Sequence, residues 1–166
     1  MLFAFCCGAI VANIYYAQPI IELIAPDIGL TPAMASLIVS LTQIGYALGL
    51  FFLVPLGDLL ENRKLMIATT VVAIASLLGA AFIEQPNLFL LVSLLIGFSS
   101  VSVQILSPLA AHLAPAESRG RVVGGIMGGL LLGILLARPV SSVVADHLGW
   151  RAMFMIAAAL MAAILK

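Results

Sequence analysis

Six apolar runs dominate this chain, at positions 2–24, 32–56, 65–83, 88–112, 122–145 and 152–165. A helix rising 1.5 Å per residue needs about 20 mostly apolar residues to cross a bilayer, and these runs meet or approach that length. Composition agrees: 64% of the residues are hydrophobic and 8% are charged, where a soluble domain carries roughly a quarter charged residues. Water cannot be the main solvent of such a chain. Strands are a poor alternative, because a membrane barrel alternates apolar and polar residues along each strand whereas these runs are apolar throughout. A backbone in lipid must satisfy its own hydrogen bonds, so the expected fold class is an all-α integral membrane protein with six transmembrane helices.

The connections are short and carry turn and cap residues. Ala25-Pro26-Asp27-Ile28-Gly29 precedes Thr31-Pro32, and Glu84-Gln85-Pro86-Asn87, Ala114-Pro115-Ala116-Glu117-Ser118 and Asp146-His147-Leu148-Gly149 separate later runs. Connections this short make successive helices antiparallel and leave no room for a soluble domain. The first run lacks a basic leader and is too long for a signal peptide, so it is expected to stay in the membrane. Arg63, Lys64, Arg119 and Arg121 fall in the even-numbered loops and Arg151 in an odd-numbered one. Basic residues mark the cytoplasmic side, so both termini are expected inside the cell. The chain starts and stops close to its outer apolar runs, and both ends read as cut close.

The formal net charge is zero, from seven basic and seven acidic residues, which gives no field for nucleic acid. Cys6 and Cys7 are adjacent and read as small packing or lipid-facing residues, because vicinal cysteines do not form an ordinary disulfide. His112 and His147 fall at helix ends without companions at ligand spacing. No cofactor, metal or catalytic residue is expected. An intramembrane protease would need a Ser–His arrangement or paired aspartates at matched depth, and the runs hold neither.

The second and fifth runs share a pattern. Gly45-x-x-x-Gly49 precedes Pro55, and Gly129-x-x-x-Gly133 precedes Pro139 at the same offset; Asp58 to Arg63 and Asp146 to Arg151 then follow the two helices. Such internal similarity is what a nested repeat of three helices plus three leaves in a transporter half. Gly124, Gly125, Gly128, Gly129 and Gly133 are expected to let another helix backbone approach closely, which is the plainer reading of the fifth helix.

Around the loop after the second run, Gly57-Asp58-Leu59-Leu60-Glu61-Asn62-Arg63-Lys64 resembles the G-x-L-A-D-R-x-G-R-K signature of the major facilitator superfamily. Leu56, Asp58 and Arg63 fit that pattern, and Leu59, Glu61 and Asn62 depart from it. Asn13-Ile14-Tyr15-Tyr16-Ala17-Gln18-Pro19, Ser118-Arg119-Gly120-Arg121 and Gly149-Trp150-Arg151-Ala152-Met153-Phe154 resemble the bacterial efflux-type branch of the same superfamily. The resemblance implies a carrier of twelve helices in the bacterial inner membrane, of which this chain is the N-terminal six-helix half. It implies that Asp58 and Arg63 form a gate at the cytoplasmic face, where the plainer reading is a helix end and a topology anchor. It also implies that helices one and four line the substrate path, which makes Asn13, Tyr16, Gln18 and Gln104 candidates; an interhelical hydrogen bond is the alternative for each.

Arg138 stands out without any resemblance, since an arginine at the centre of a membrane helix costs about 2.5–3.5 kcal/mol on insertion scales and seeks a partner or a water-filled cavity. It joins the substrate-path candidates, with snorkelling to the interface as its alternative. Glu22 is the carboxylate nearest the membrane interior and the candidate for proton coupling, against an ordinary interfacial role. The expected function is secondary transport of a small organic solute by proton-coupled efflux. Its expected partners are the bilayer, the solute, and the missing C-terminal six-helix half or a second copy. The alternative is a non-transporting membrane protein, either an inactive gene fragment or a helix-packing subunit.

Overall fold

The computed structural model describes residues 2–165; the side chains of Leu2, Asp58, Ala111 and Leu113 lie outside what it describes. Among the described residues the chain is helical throughout, with no strand. Four stretches are long and apolar enough to cross a membrane: Pro32–Gly57, Asn62–Phe82, Pro86–Ala110 and Arg119–Leu148. Phe3–Ala12 and Trp150–Ile164 are shorter apolar helices.

The first apolar run is not one continuous helix. Helix α1 spans Leu2–Ala12, after which the backbone tightens into a 3-10 turn at Gln18–Ile20 and resumes as α2 over Ile21–Asp27. The tightening is visible in i to i−3 bonds, with the amides of Tyr15 and Gln18 donating to Ala12 and Tyr15 at 2.9 and 3.2 Å. The tightening begins at Asn13, whose amide donates to Ile10, and Pro19 keeps the α pattern from resuming at its own position because proline lacks an N–H. Helix α2 then stops at Gly29, whose φ of 71° is the left-handed value that glycine adopts without strain. The Leu30 amide donates to Ala25 at 2.8 Å across this stop, the pattern of a Schellman C-cap.

Helix α3, Pro32–Leu59, starts on the Thr31 N-cap, whose hydroxyl accepts from the Met34 amide at 3.3 Å, with Pro32 in the first turn. Helix α4 covers Asn62–Phe82. The fourth apolar run is also interrupted, into α5 (Pro86–Ser99) and α6 (Ser102–Leu113). Here serines cluster at the interruption. Ser99 and Ser100 turn their hydroxyls back to the carbonyls of Leu95 and Ile96 at 2.8 and 2.6 Å, offering the backbone a local alternative to helical bonding. Helix α7 (Arg119–Leu148) runs 30 residues through Pro139 and ends at Gly149, with φ of 85°. Helix α8 (Trp150–Ile164) follows directly.

The helices pair as α3 with α5, α1 with α7 and α4 with α8. Glycines set the first two contacts. A Cβ on Gly45 or Gly97 would fall on the backbone of the facing helix, at Leu94 and Thr42, and one on Gly129 or Gly133 on the backbone of Ala4 and Gly8. Both contacts ascend in parallel register, Gly45 to Gly49 along Leu94 to Val101 and Gly129 to Gly133 along Ala4 to Gly8. Backbones this close maximise dispersion and Cα–H···O contacts, which hold helices together where lipid removes the hydrophobic driving force.

Packing where the start of α8 meets the start of α5 relies on aromatics instead. Phe89, Trp150 and Phe154 form a triangle of edge-to-face pairs with centroids 5.9, 6.1 and 6.0 Å apart, the arrangement that ring quadrupoles favour. The exterior is apolar: Phe51 is 74% exposed, Phe82 70% and Leu135 69%. A surface of this kind faces lipid or another apolar bundle.

Candidate functional site

Polar side chains converge where the first run breaks and faces α7. Leaving the helix frees the Tyr16 carbonyl, and the buried Ser141 hydroxyl of α7 donates to it at 2.6 Å. One turn earlier on α7, Arg138 donates from Nη2 to Gln18 Oε1 at 2.8 Å and lies over the Tyr15 ring, 5.8 Å from its centroid. Among the described residues the ion pairs are Lys64 with Glu61 and Arg151 with Asp27, so no carboxylate neutralises Arg138 in this set. Tyr15, Tyr16, Gln18, Arg138 and Ser141 thus form one cluster. Tyr16 contributes its backbone, and its ring is buried.

Asn13 sits at the start of the same break and is 3% exposed, with neither amide atom hydrogen-bonded. A buried unpaired amide costs about 1–3 kcal/mol in mutational data. Replacing it by Asn13→Leu, which keeps a forked side chain, is expected to raise thermal stability by about 1–2 kcal/mol. If Asn13 serves the solute path, solute binding falls at the same time. Melting of purified wild type and variant checks this, and a lower midpoint in the variant would show that the amide has a partner.

Gln104 is not part of this cluster. It lies on α6, beyond the second break, and donates from Nε2 to the Tyr46 hydroxyl of α3 at 2.9 Å. With Gly57, Asn62, Pro108 and His112 it lines a cavity of about 340 Å³, against which the Oδ1 of Asn62 is buried and unpaired. The two broken runs therefore each carry a glutamine bonded to a neighbouring long helix.

At the loop after α3, Arg63 is exposed and Lys64 pairs with Glu61 at 2.9 Å; the Asp58 side chain lies outside the described residues. At the opposite end, Asp27 accepts from Trp150 Nε1 at 3.1 Å and from Arg151, whose guanidinium lies 4.4 Å from the centre of the Trp150 ring. Glu22 is exposed and lines an open cleft of about 650 Å³ with Asp27 and Trp150. Both partners of the Asp27–Arg151 pair are partly exposed, so Asp27→Asn is expected to cost no more than about 1 kcal/mol. Asn keeps an amide oxygen for the indole, whereas Asp27→Ala removes the acceptor and should shift the emission of Trp150. Unchanged Trp150 emission in Asp27→Ala would refute that role for Asp27.

Sequence reasoning did not single out Tyr46, Ser141 or Asp27. Ser141 had a usable signal, one helical turn from Arg138. Tyr46 and Asp27 had none, because their partners are 58 and 124 positions away.

The sequence pattern of the Major Facilitator Superfamily matches residues 1–165. The uncharacterized transporter YgaY of Escherichia coli is 47% identical over 162 residues, covering 98% of this chain and 41% of that protein. A probable transporter of Streptomyces coelicolor is 40% identical over 161 residues, covering 97% of this chain and 37% of its own length. Among solved structures, the POT family transporter PepTSo superposes with a TM-score of 0.67 at 12% identity, over 98% of this chain and 35% of that one. This last likeness concerns the fold alone. The chain spans about two fifths of the curated relatives it matches.

Proposed function

Since the chain belongs to the Major Facilitator Superfamily, we propose that it forms one six-pass bundle of a secondary transporter that moves a small organic solute. The observation that carries this reading is the polar cluster at the break of the first run, where Gln18, Arg138 and Ser141 meet between two apolar helices. Broken helices at depth are tolerated where they line a cavity, and they are a recurring device for substrate sites in carriers.

The six passes of this reading are α1 with α2, α3, α4, α5 with α6, α7, and α8. Exchanging the first three with the last three turns the α1–α7 contact into the α3–α5 contact and returns α4–α8 to itself, which supports a three-plus-three repeat. The breaks in the first and fourth passes exchange in the same way. Basic residues at the ends joined by 60–61 and 114–118 support a cytoplasmic placement of that face and of both termini, in a bacterial inner membrane. In this reading Arg63, with Asp58, gates that face.

Alternating access needs a second bundle rocking against the first. The relatives are more than twice as long as the aligned region, and the apolar faces bearing Phe51 and Leu135 are open, which supports a further six-helix half as the partner, with a second copy as the other source. In this reading Asn13, Tyr16, Gln18, Gln104 and Arg138 lie along the solute path, and Glu22 is the group available for proton-linked efflux.

The test is transport by the complete product of the gene, with whatever follows position 166 in frame, in everted membrane vesicles. Solute accumulation that collapses with a protonophore is expected. A correctly inserted product that moves no member of a broad metabolite panel above empty vesicles would overturn the reading.

A further inference from the structure

The cluster at Arg138 has a donor and acceptor balance that selects a ligand class. Guanidinium groups only donate. Gln18 must therefore turn its carbonyl oxygen to Arg138, at 2.8 Å, which fixes the amide orientation independently of how its atoms are named. Gln18 then keeps both N–H bonds of Nε2 and one lone pair of Oε1, and no hydrogen bond from that nitrogen is formed among the described residues. Arg138 uses one nitrogen on Gln18, leaving further N–H groups of its fork, and its side chain is exposed on the open side of α7. Donors outnumber the one remaining acceptor lone pair in what this pair presents, and they surround one positive charge that no ion pair neutralises among the described residues.

We infer that Arg138 and Gln18 form a subsite for the carboxylate of an organic anion, with Arg138 supplying the charge and Gln18 Nε2 a further hydrogen bond. The inference rests on the transport reading and names the solute class for it. A neutral solute would leave the charge unbalanced in a low-dielectric wall, and a cation would be repelled by it. A planar fork suits a carboxylate, whose two oxygens accept side by side. The Tyr15 ring, with its centroid 5.8 Å from the guanidinium carbon, limits the orientations of that fork before any ligand arrives. Glu22 does not compete for the site, since no ion pair joins it to Arg138.

The experiment is ligand-induced thermal stabilisation of the complete gene product in nanodiscs, using aliphatic and aromatic monocarboxylates, each beside its neutral carboxamide. At least one carboxylate is expected to raise the midpoint of the wild type while its amide does not. Arg138→Gln should weaken that carboxylate at least about tenfold, with Arg138→Lys between the two because it keeps charge without the fork. Gln18→Glu is the sharper variant. It keeps the contact with Arg138 and strengthens the fold there, yet cancels the charge, so carboxylate stabilisation should disappear from a protein at least as stable as the wild type.

Retained carboxylate binding in Gln18→Glu or Arg138→Gln would overturn the subsite, as would equal stabilisation by acid and amide or no response to any carboxylate. A drop in unliganded stability for Arg138→Gln, with ligand preference unchanged, would instead assign Arg138 to a carboxylate side chain elsewhere in the longer protein. Flux of a neutral or cationic solute that ignores Arg138→Gln would sink the carboxylate subsite and leave the transporter reading standing. Absence of all flux, measured separately in vesicles, would sink the transporter reading.

Discussion

Gly97→Leu is expected to abolish the folded state, while Gly124→Ala and Gly128→Ala leave it unharmed. A Cβ on Gly97 would lie 2.8 Å from the Thr42 carbonyl carbon and 2.9 Å from the Tyr46 nitrogen, both backbone atoms of α3. Backbone cannot rotate aside, so α3 and α5 would have to separate along their whole contact. Overpacking that a flexible neighbour absorbs costs about 1–3 kcal/mol. A clash against backbone that forces two helices apart belongs with the exceptional substitutions above about 4 kcal/mol.

At Gly124 and Gly128 an added Cβ meets nothing within 4 Å. There alanine gains about 1 kcal/mol of helix propensity at most. Melting in a mild detergent, read by circular dichroism, checks the series. Similar midpoints for Gly97→Leu and Gly128→Ala would mean that the α3–α5 contact is not the close approach described here.

This contrast also marks how far the sequence could be read. Of the five glycines expected to pack on α7, Gly129 and Gly133 do so, and Gly45 and Gly49, legible only as the matching half of the repeat, pack in the same way. Their partners were not legible. Nothing in spacing says that Gly45 meets Leu94 or that Gly129 meets Ala4, since helix pairing in a bundle is a tertiary choice. Gly124, Gly125 and Gly128 look like the same device in sequence, yet an added Cβ at each meets open space.

The breaks were partly legible for a similar reason. Apolar length alone merges α1 with α2 and α5 with α6, because hydropathy does not register a local change from i−4 to i−3 bonding. Pro19 and the Ser99-Ser100-Val101-Ser102 run were the available signals, each acting on backbone hydrogen bonds rather than on polarity. Arg138 could be singled out from cost alone, but its bond to Gln18 could not. An uncompensated charge announces that it needs a partner without saying which one.

Phe154→Ala should produce the second large loss, and it separates core from lipid-facing aromatics. Phe154 is 1% exposed and makes two of the three edge-to-face contacts in the triangle with Phe89 and Trp150. In a water-soluble core such a truncation costs about 3–5 kcal/mol, part from lost transfer out of water and part from the cavity left behind. In a membrane the transfer part shrinks, because the unfolded reference remains surrounded by hydrocarbon, while the cavity and dispersion parts stay. About 2–4 kcal/mol is therefore expected on the same basis. Phe82, 70% exposed on α4, makes the control, and Phe82→Ala should change stability little because lipid replaces the ring.

The chain has one tryptophan, and it sits in the triangle. Phe154→Ala should therefore shift Trp150 emission to the red and weaken its hydrogen bond to Asp27, whereas Phe82→Ala should leave the spectrum alone. If both phenylalanines behaved alike in midpoint and emission, the triangle would not be what holds α8 to the bundle, and the short helix would have to be fixed through its contact with α4 instead.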